Sequence, residues 1–104
     1  MTISDLVREL ESIQKTVTEA HTYLDDISAI ADEIESGRTV STEDLSFVER
    51  AVVGRECDPL DIAFTALRNR FGSAPPGDYY ALEARTRLVI NRAATVLDSH
   101  RIAI

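Results

Sequence analysis

Ile3, Leu6, Leu10, Ile13, Val17, Ala20, Leu24, Ile27, Ala31 and Ile34 follow one another at intervals of three and four residues without a slip. That alternation averages 3.5 residues, so it lays a single apolar seam along one helix, the pattern of a helix that packs lengthwise on others. At 1.5 Å per residue, a helix over 3–36 is a rod of roughly 50 Å. A compact globule of this size has a radius of gyration of only about 13 Å. The rod must therefore project, bend, or lie against something of its own length.

The punctuation around the seam divides the rest of the chain. Thr2 with Asp5 three residues on makes a capping pair for the first helix, and Gly37 stands where a left-handed C′ residue is wanted. Ser41 with Asp44 forms a second cap, with Val40 and Leu45 in the positions of a hydrophobic staple, and this helix runs over 42–54 to Gly54. Asp58-Pro59 supplies an N-cap and a first-position proline for a third helix over 59–71, which Gly72 closes. The segment Ser73-Ala-Pro-Pro-Gly77 cannot continue a helix, and Asp78 is the expected cap of a last helix over 79–100. No segment alternates at two residues between turn signals, so no strand is expected.

Each shorter helix carries an apolar stripe: Leu45, Phe47, Val48, Ala51 and Val52 in the second, Leu60, Ala63, Phe64, Leu67 and Phe71 in the third, Leu82, Val89, Ile90, Ala93, Val96 and Leu97 in the fourth. The second and third together match the first in length. The fold predicted is all-α, a four-helix up-down bundle with a broken middle, in one domain over 1–104. Three Phe, three Tyr and no Trp make its core aliphatic.

The net charge of −7 sits entirely on the first helix. Asp5, Glu9, Glu11, Glu19, Asp25, Asp26, Asp32, Glu33 and Glu35 face only Arg8 and Lys15 there, while acids and arginines cancel over residues 37–104. Acids near a helix C-terminus oppose the macrodipole, so the run from Glu19 to Ser36, which lacks any lysine or arginine, marks a solvated face or a surface for a basic protein. Such a face does not neutralise phosphates, and nucleic acid is not an expected partner. Apolar runs are a few residues long, far short of the about 20 a membrane span takes. No basic stretch followed by an apolar run opens the sequence, so no secretory signal is expected. Cys57 is alone, excluding an internal disulfide and a multi-cysteine zinc site, and a cytoplasmic setting is expected.

Candidate chemistry is thin. Around His21, Glu19-Ala-His-Thr-Tyr-Leu24 resembles a histidine-phosphotransfer module over half a dozen residues, which implies an exposed phosphoryl-accepting histidine. Such modules place a lysine and a small residue after the histidine; here Leu24, Asp25 and Asp26 follow, and two carboxylates repel a phosphoryl group. A half-buried histidine at the bundle edge is the expectation. His100 at a helix end is favoured by the dipole. Neither histidine has a second histidine or cysteine nearby, and the Glu-x-x-His pairs of a di-iron site are absent, so no metal and no cofactor is expected. Cys57 reads as a small residue in a linker, flanked by Glu56 and Asp58, which oppose a lowered thiol pKa. No nucleophile elbow or phosphate loop is present, and no enzyme activity is expected. A helix-turn-helix about Gly54 would expose Asp61, Thr65, Arg68 and Asn69, a thin basic surface, with Arg50 where a small residue belongs.

Two surfaces remain. The seam residues Leu10, Ile13, Val17, Ala20, Leu24, Ile27, Ala31 and Ile34 suit a second copy as well as the chain's own helices. Flanking charges that specify a two-stranded coil are scarce there, and Val7, Tyr23 and Ile30 widen the face. The second surface comprises Asp25, Asp26, Asp32 and Glu33 together with Leu88, which stands between Arg85 and Arg92 off the main stripe of its helix. These arginines could equally meet the first helix's acids. The expected function is a non-catalytic helical protein–protein interaction module, an adaptor, regulator or chaperone-like protein working as a homodimer. An acidic inhibitor of immunity or DNA-mimic type, and a helix-turn-helix regulator, are the alternatives.

Overall fold

The structure, a computed structural model, describes residues 2–54, 58–72 and 77–103. It contains four helices: α1 (Ile3–Glu35), α2 (Thr42–Val53), α3 (Pro59–Phe71) and α4 (Gly77–Ala103). No strand occurs among the described residues. The all-α four-helix bundle read from the sequence is the observed fold.

The helix ends obey their caps. The Thr2 hydroxyl accepts from the Asp5 N–H at 3.2 Å while the Asp5 carboxylate accepts from the Thr2 N–H at 3.3 Å, a reciprocal box. Ser41 accepts from the N–H of Asp44 and Asp58 from that of Asp61. At the far end of α1, Gly37 adopts φ 78°. Its N–H reaches the carbonyl of Ile34, and the Arg38 N–H that of Glu33, closing the helix. α1 and α2 each end one residue short of expectation, and the last helix differs at both ends. The last helix begins at Gly77 and continues to Ala103, so Asp78 lies inside its first turn rather than capping it, and His100 lies within the final turn. The linker carrying Cys57 and the loop 73–76 lie outside the described residues, as do the side chains of residues 101–104.

α1 is the spine. α3 runs back along it, from Asp58 at its start near Tyr23 to Arg70, whose guanidinium is 3.3 Å from Glu9. α2 covers the other half of the same side, where the Phe47 ring meets Tyr23 edge-on at 5.2 Å. α2 and α3 touch α1 and α4 but not each other, which is the broken middle in physical form. α4 runs parallel to α1: Arg85 meets His21 and Asp25, and seven residues later Arg92 meets Asp32 and Glu35. The core between these layers holds Ala20, Leu24, Ile27 and Ile34 from α1, Val48 and Ala51 from α2, Leu60 and Ala63 from α3, and Leu82, Ala93, Val96 and Leu97 from α4. Alanines at Ala20, Ala31, Ala63 and Ala93 let the helices close in, and all four are buried. The result is elongated, 58 × 23 × 21 Å, with a radius of gyration of 16.2 Å, because the short helices lie along the rod rather than folding it up.

Candidate interaction surface

α4 does not reach the start of α1. Arg85 is level with His21 and Asp25, and Gly77 lies eight residues earlier, about 12 Å up the axis. α4 therefore begins opposite Ile13–Val17. Above that point α3 accompanies α1 on one side of the seam as far as Arg70 opposite Glu9, with no described residue on the other side. The seam records this change. Ala20, Leu24, Ile27, Ala31 and Ile34 are buried within the chain, Ile13 and Val17 are half-buried, and Leu10 is 42% exposed. Ile3 and Val7, at 82% and 45%, complete the uncovered end. Val7 lies beside the seam on the side where α4 would continue, so the open strip is wider than the heptad alone.

The charges around this end differ from those below it. Residues 3–18 carry Asp5, Glu9 and Glu11 against Arg8 and Lys15, one net negative charge, whereas Glu19–Ser36 carries six. On the open side the residues next to the seam are Val7 and Gln14, both uncharged, and beyond them stands Glu11, in the same heptad column as Asp25 and Asp32. On the α3 side Glu9 is held by Arg70.

The acidic face lower on α1 is largely engaged. Asp25 pairs with Arg85, and Asp32 and Glu35 share Arg92. These bonds raise Arg92 above its usual pKa, the hydrogen bond to Asp32 foremost. Asp26 and Glu33 take no ion pair among the described residues. Asp26 instead rims a shallow depression with Asp44, floored by Ala29, Ile30 and Phe47. Leu88 stands 73% exposed on the outer face of α4, with Ala81 and Ala84 exposed beside it and Arg85 and Arg92 turned toward α1. Tyr79 stacks edge-on against Phe64 of α3 at 5.4 Å, and Tyr80 lies outside it.

His21 is half-buried, as its place at the bundle edge requires. Its Nδ1 lies 2.9 Å from the Arg85 Nη1, which also donates to the His21 carbonyl oxygen at 3.2 Å. The histidine is thus a clasp between helices. His100 lines an open depression near Ile34, Glu35 and Val96. No group of three or more His, Cys, Asp or Glu side chains could hold a metal ion among the described residues, and no helix there is long and apolar enough to cross a membrane.

Ile3 and Val7 belong to the exposed strip, although the seam residues expected to suit a second copy began at Leu10. The pairing of Arg85 and Arg92 with the acids of α1 was one of two readings the sequence offered; Arg85 and Arg92 are seven apart, as are Asp25 and Asp32, a match that leaves the direction open, and the structure makes it parallel. No protein-family model, curated protein or solved structure matches this chain.

Proposed function

We propose that this chain is a non-catalytic helical interaction module of the cytoplasm that self-associates through the first turns of α1 and acts as an adaptor or regulator. One observation carries the reading. An unbroken seam is covered by the chain's own helices from Ala20 onward, yet stays open at Ile3, Val7 and Leu10. Apolar side chains in a continuous heptad gain by burial, at about 25 cal/mol per Å², and an open end of this kind is a place for another helix. Light scattering across a concentration series tests it: a mass that rises toward twice the monomer supports self-association, and a constant monomer mass removes it.

A second reading, an acidic protein that engages a basic partner, draws on the depression between α1 and α2, where Asp26 and Asp44 rim an apolar floor. Reversing the charge at Asp26 and Glu33 then weakens that partner's binding in a salt-dependent manner, while unchanged binding sets the reading aside. The helix-turn-helix alternative loses support, because α2 and α3 make no contact with one another, and that motif needs two helices packed across a turn.

A further inference from the structure

We infer that the depression between α1 and α2 seats a basic amphipathic helix of another protein, one with arginines or lysines seven apart and apolar residues between them. This rests on the second reading above, an acidic protein with a basic partner, and adds the partner's secondary structure, its charge spacing and the residues that receive it.

α1 itself shows how such a helix is received. Its acids fall into two columns of seven-residue spacing, a step of about 10 Å along the helix. Asp25 and Asp32 form one column. α4 docks against it by placing Arg85 on Asp25 and Arg92 on Asp32 and Glu35. Glu19, Asp26 and Glu33 form the other, on the side of α2. The spacing is the same, yet these three take no ion pair among the described residues. One column is filled by the chain's own arginine pair and the next is not.

The floor supplies what acids alone do not. Ala29 and Ile30 of α1 and Phe47 of α2 lie between Asp26 and Asp44. Ile30 and Phe47 pack against the core but remain half-buried, so an apolar side chain laid on them completes their burial, at about 25 cal/mol per Å². Carboxylates around an apolar centre form a charged rim about an anchor, the recognition mode of a helix laid in a groove. Arg50, exposed one turn above Phe47 on α2, and Arg38, just beyond the end of α1, bound the acidic stretch. Asp26, Glu33 and Asp44 are therefore the receiving groups.

Charge favours a foreign helix over a second copy. Two chains of net charge −7 repel each other. Arg85 and Arg92 are engaged within the chain. The other basic residues seven apart on a described helix, Arg8 and Lys15, have Glu11 and Ser12 between them, which would set a carboxylate on the apolar floor.

NMR titration of the full chain with three synthetic helical peptides of about 18 residues tests this. The first carries two arginines seven apart about two leucines. The second has the same residues with the arginines five apart, on different faces of the helix. The third keeps the arginines of the first and replaces its leucines by glutamine. The first peptide should bind and shift the resonances of Ala29, Ile30 and Phe47, and the other two should bind at least about tenfold more weakly. Asp26→Lys combined with Glu33→Lys should abolish binding, with helix content by circular dichroism unchanged. Equal binding of all three peptides, lost in the variant, overturns the helix and its spacing and leaves the basic-partner reading standing. Binding that survives in the variant, or no binding of any peptide up to millimolar concentration, overturns both.

Discussion

Arg85 and His21 meet through nitrogen atoms, the arginine Nη1 lying 2.9 Å from the imidazole Nδ1. A guanidinium can only donate, so Nδ1 holds its lone pair toward Arg85 while the contact stands. The neutral ring then carries its proton on Nε2. Two-bond ¹H–¹⁵N correlation spectra at neutral to mildly alkaline pH should show His21 as the Nε2–H tautomer. Arg85→Ala should release the ring to a mixture of both. A protonated Nδ1 in the unaltered chain would contradict the geometry.

The second arginine of α4 tests the parallel register. Arg92 reaches Asp32 and also Glu35, the latter at 3.3 Å, all at partly exposed positions. Arg92→Ala should lower stability by about 0.5–1 kcal/mol in low salt and by less in high salt, in keeping with screened surface pairs. Urea unfolding at two salt concentrations measures this. A loss unaffected by salt would mean that the arginine stem, not its charge, matters at this site.

Burial along the seam predicts two different costs for similar changes. Leu24 is fully buried, and Leu24→Ala should cost about 2–5 kcal/mol through lost transfer energy and a cavity. Ile3 is 82% exposed, and Ile3→Ala should change monomer stability by less than about 0.5 kcal/mol. Comparable losses at both positions, measured at concentrations below dimerisation, would mean that the first turns of α1 are covered within the chain.

These costs also separate what the sequence disclosed from what it withheld. The seam's period located Ala20, Leu24, Ile27, Ala31 and Ile34 in the core because a heptad fixes which face of a helix is apolar. Thr2, Ser41 and Asp58 announced helix starts through short-range bonds to the N–H three residues on, and these bonds are local. The level at which α4 meets α1 is not local. It depends on how the chain crosses from Phe71 to Gly77 and on which acids the arginines choose, and either can shift by a turn without altering any periodicity. The uncovered end of the seam is a consequence of that level, so it stayed hidden although Ile3 and Leu10 were visible as heptad residues. The start of α4 was misplaced because Asp58 and Asp78 look alike as caps, while the backbone is already helical at Gly77.

Tyr23 gives a pH dependence. Burial chiefly, with the Asp58 charge adding to it, raises its phenol above the ordinary value of 10.0. A phenol raised in the folded chain contributes stability that is whole below the ordinary value and is lost as pH climbs through the raised one. Stability should therefore fall as pH rises above about 10, and Tyr23→Phe should flatten that fall. Denaturant midpoints across the alkaline range, with ultraviolet absorbance following the phenol, supply the measurement. An equal fall in the Phe variant would assign it to other groups.

The central claim is that this chain associates through the open end of its seam. Sedimentation equilibrium of the unaltered chain beside the Ile3→Glu, Leu10→Glu variant, from low micromolar to millimolar and in low and high salt, tests it most directly. The account predicts a monomer–dimer equilibrium in the unaltered chain that high salt leaves intact or tightens, and a variant that remains monomeric. A monomer throughout, or a dimer equally strong in both proteins, would contradict it.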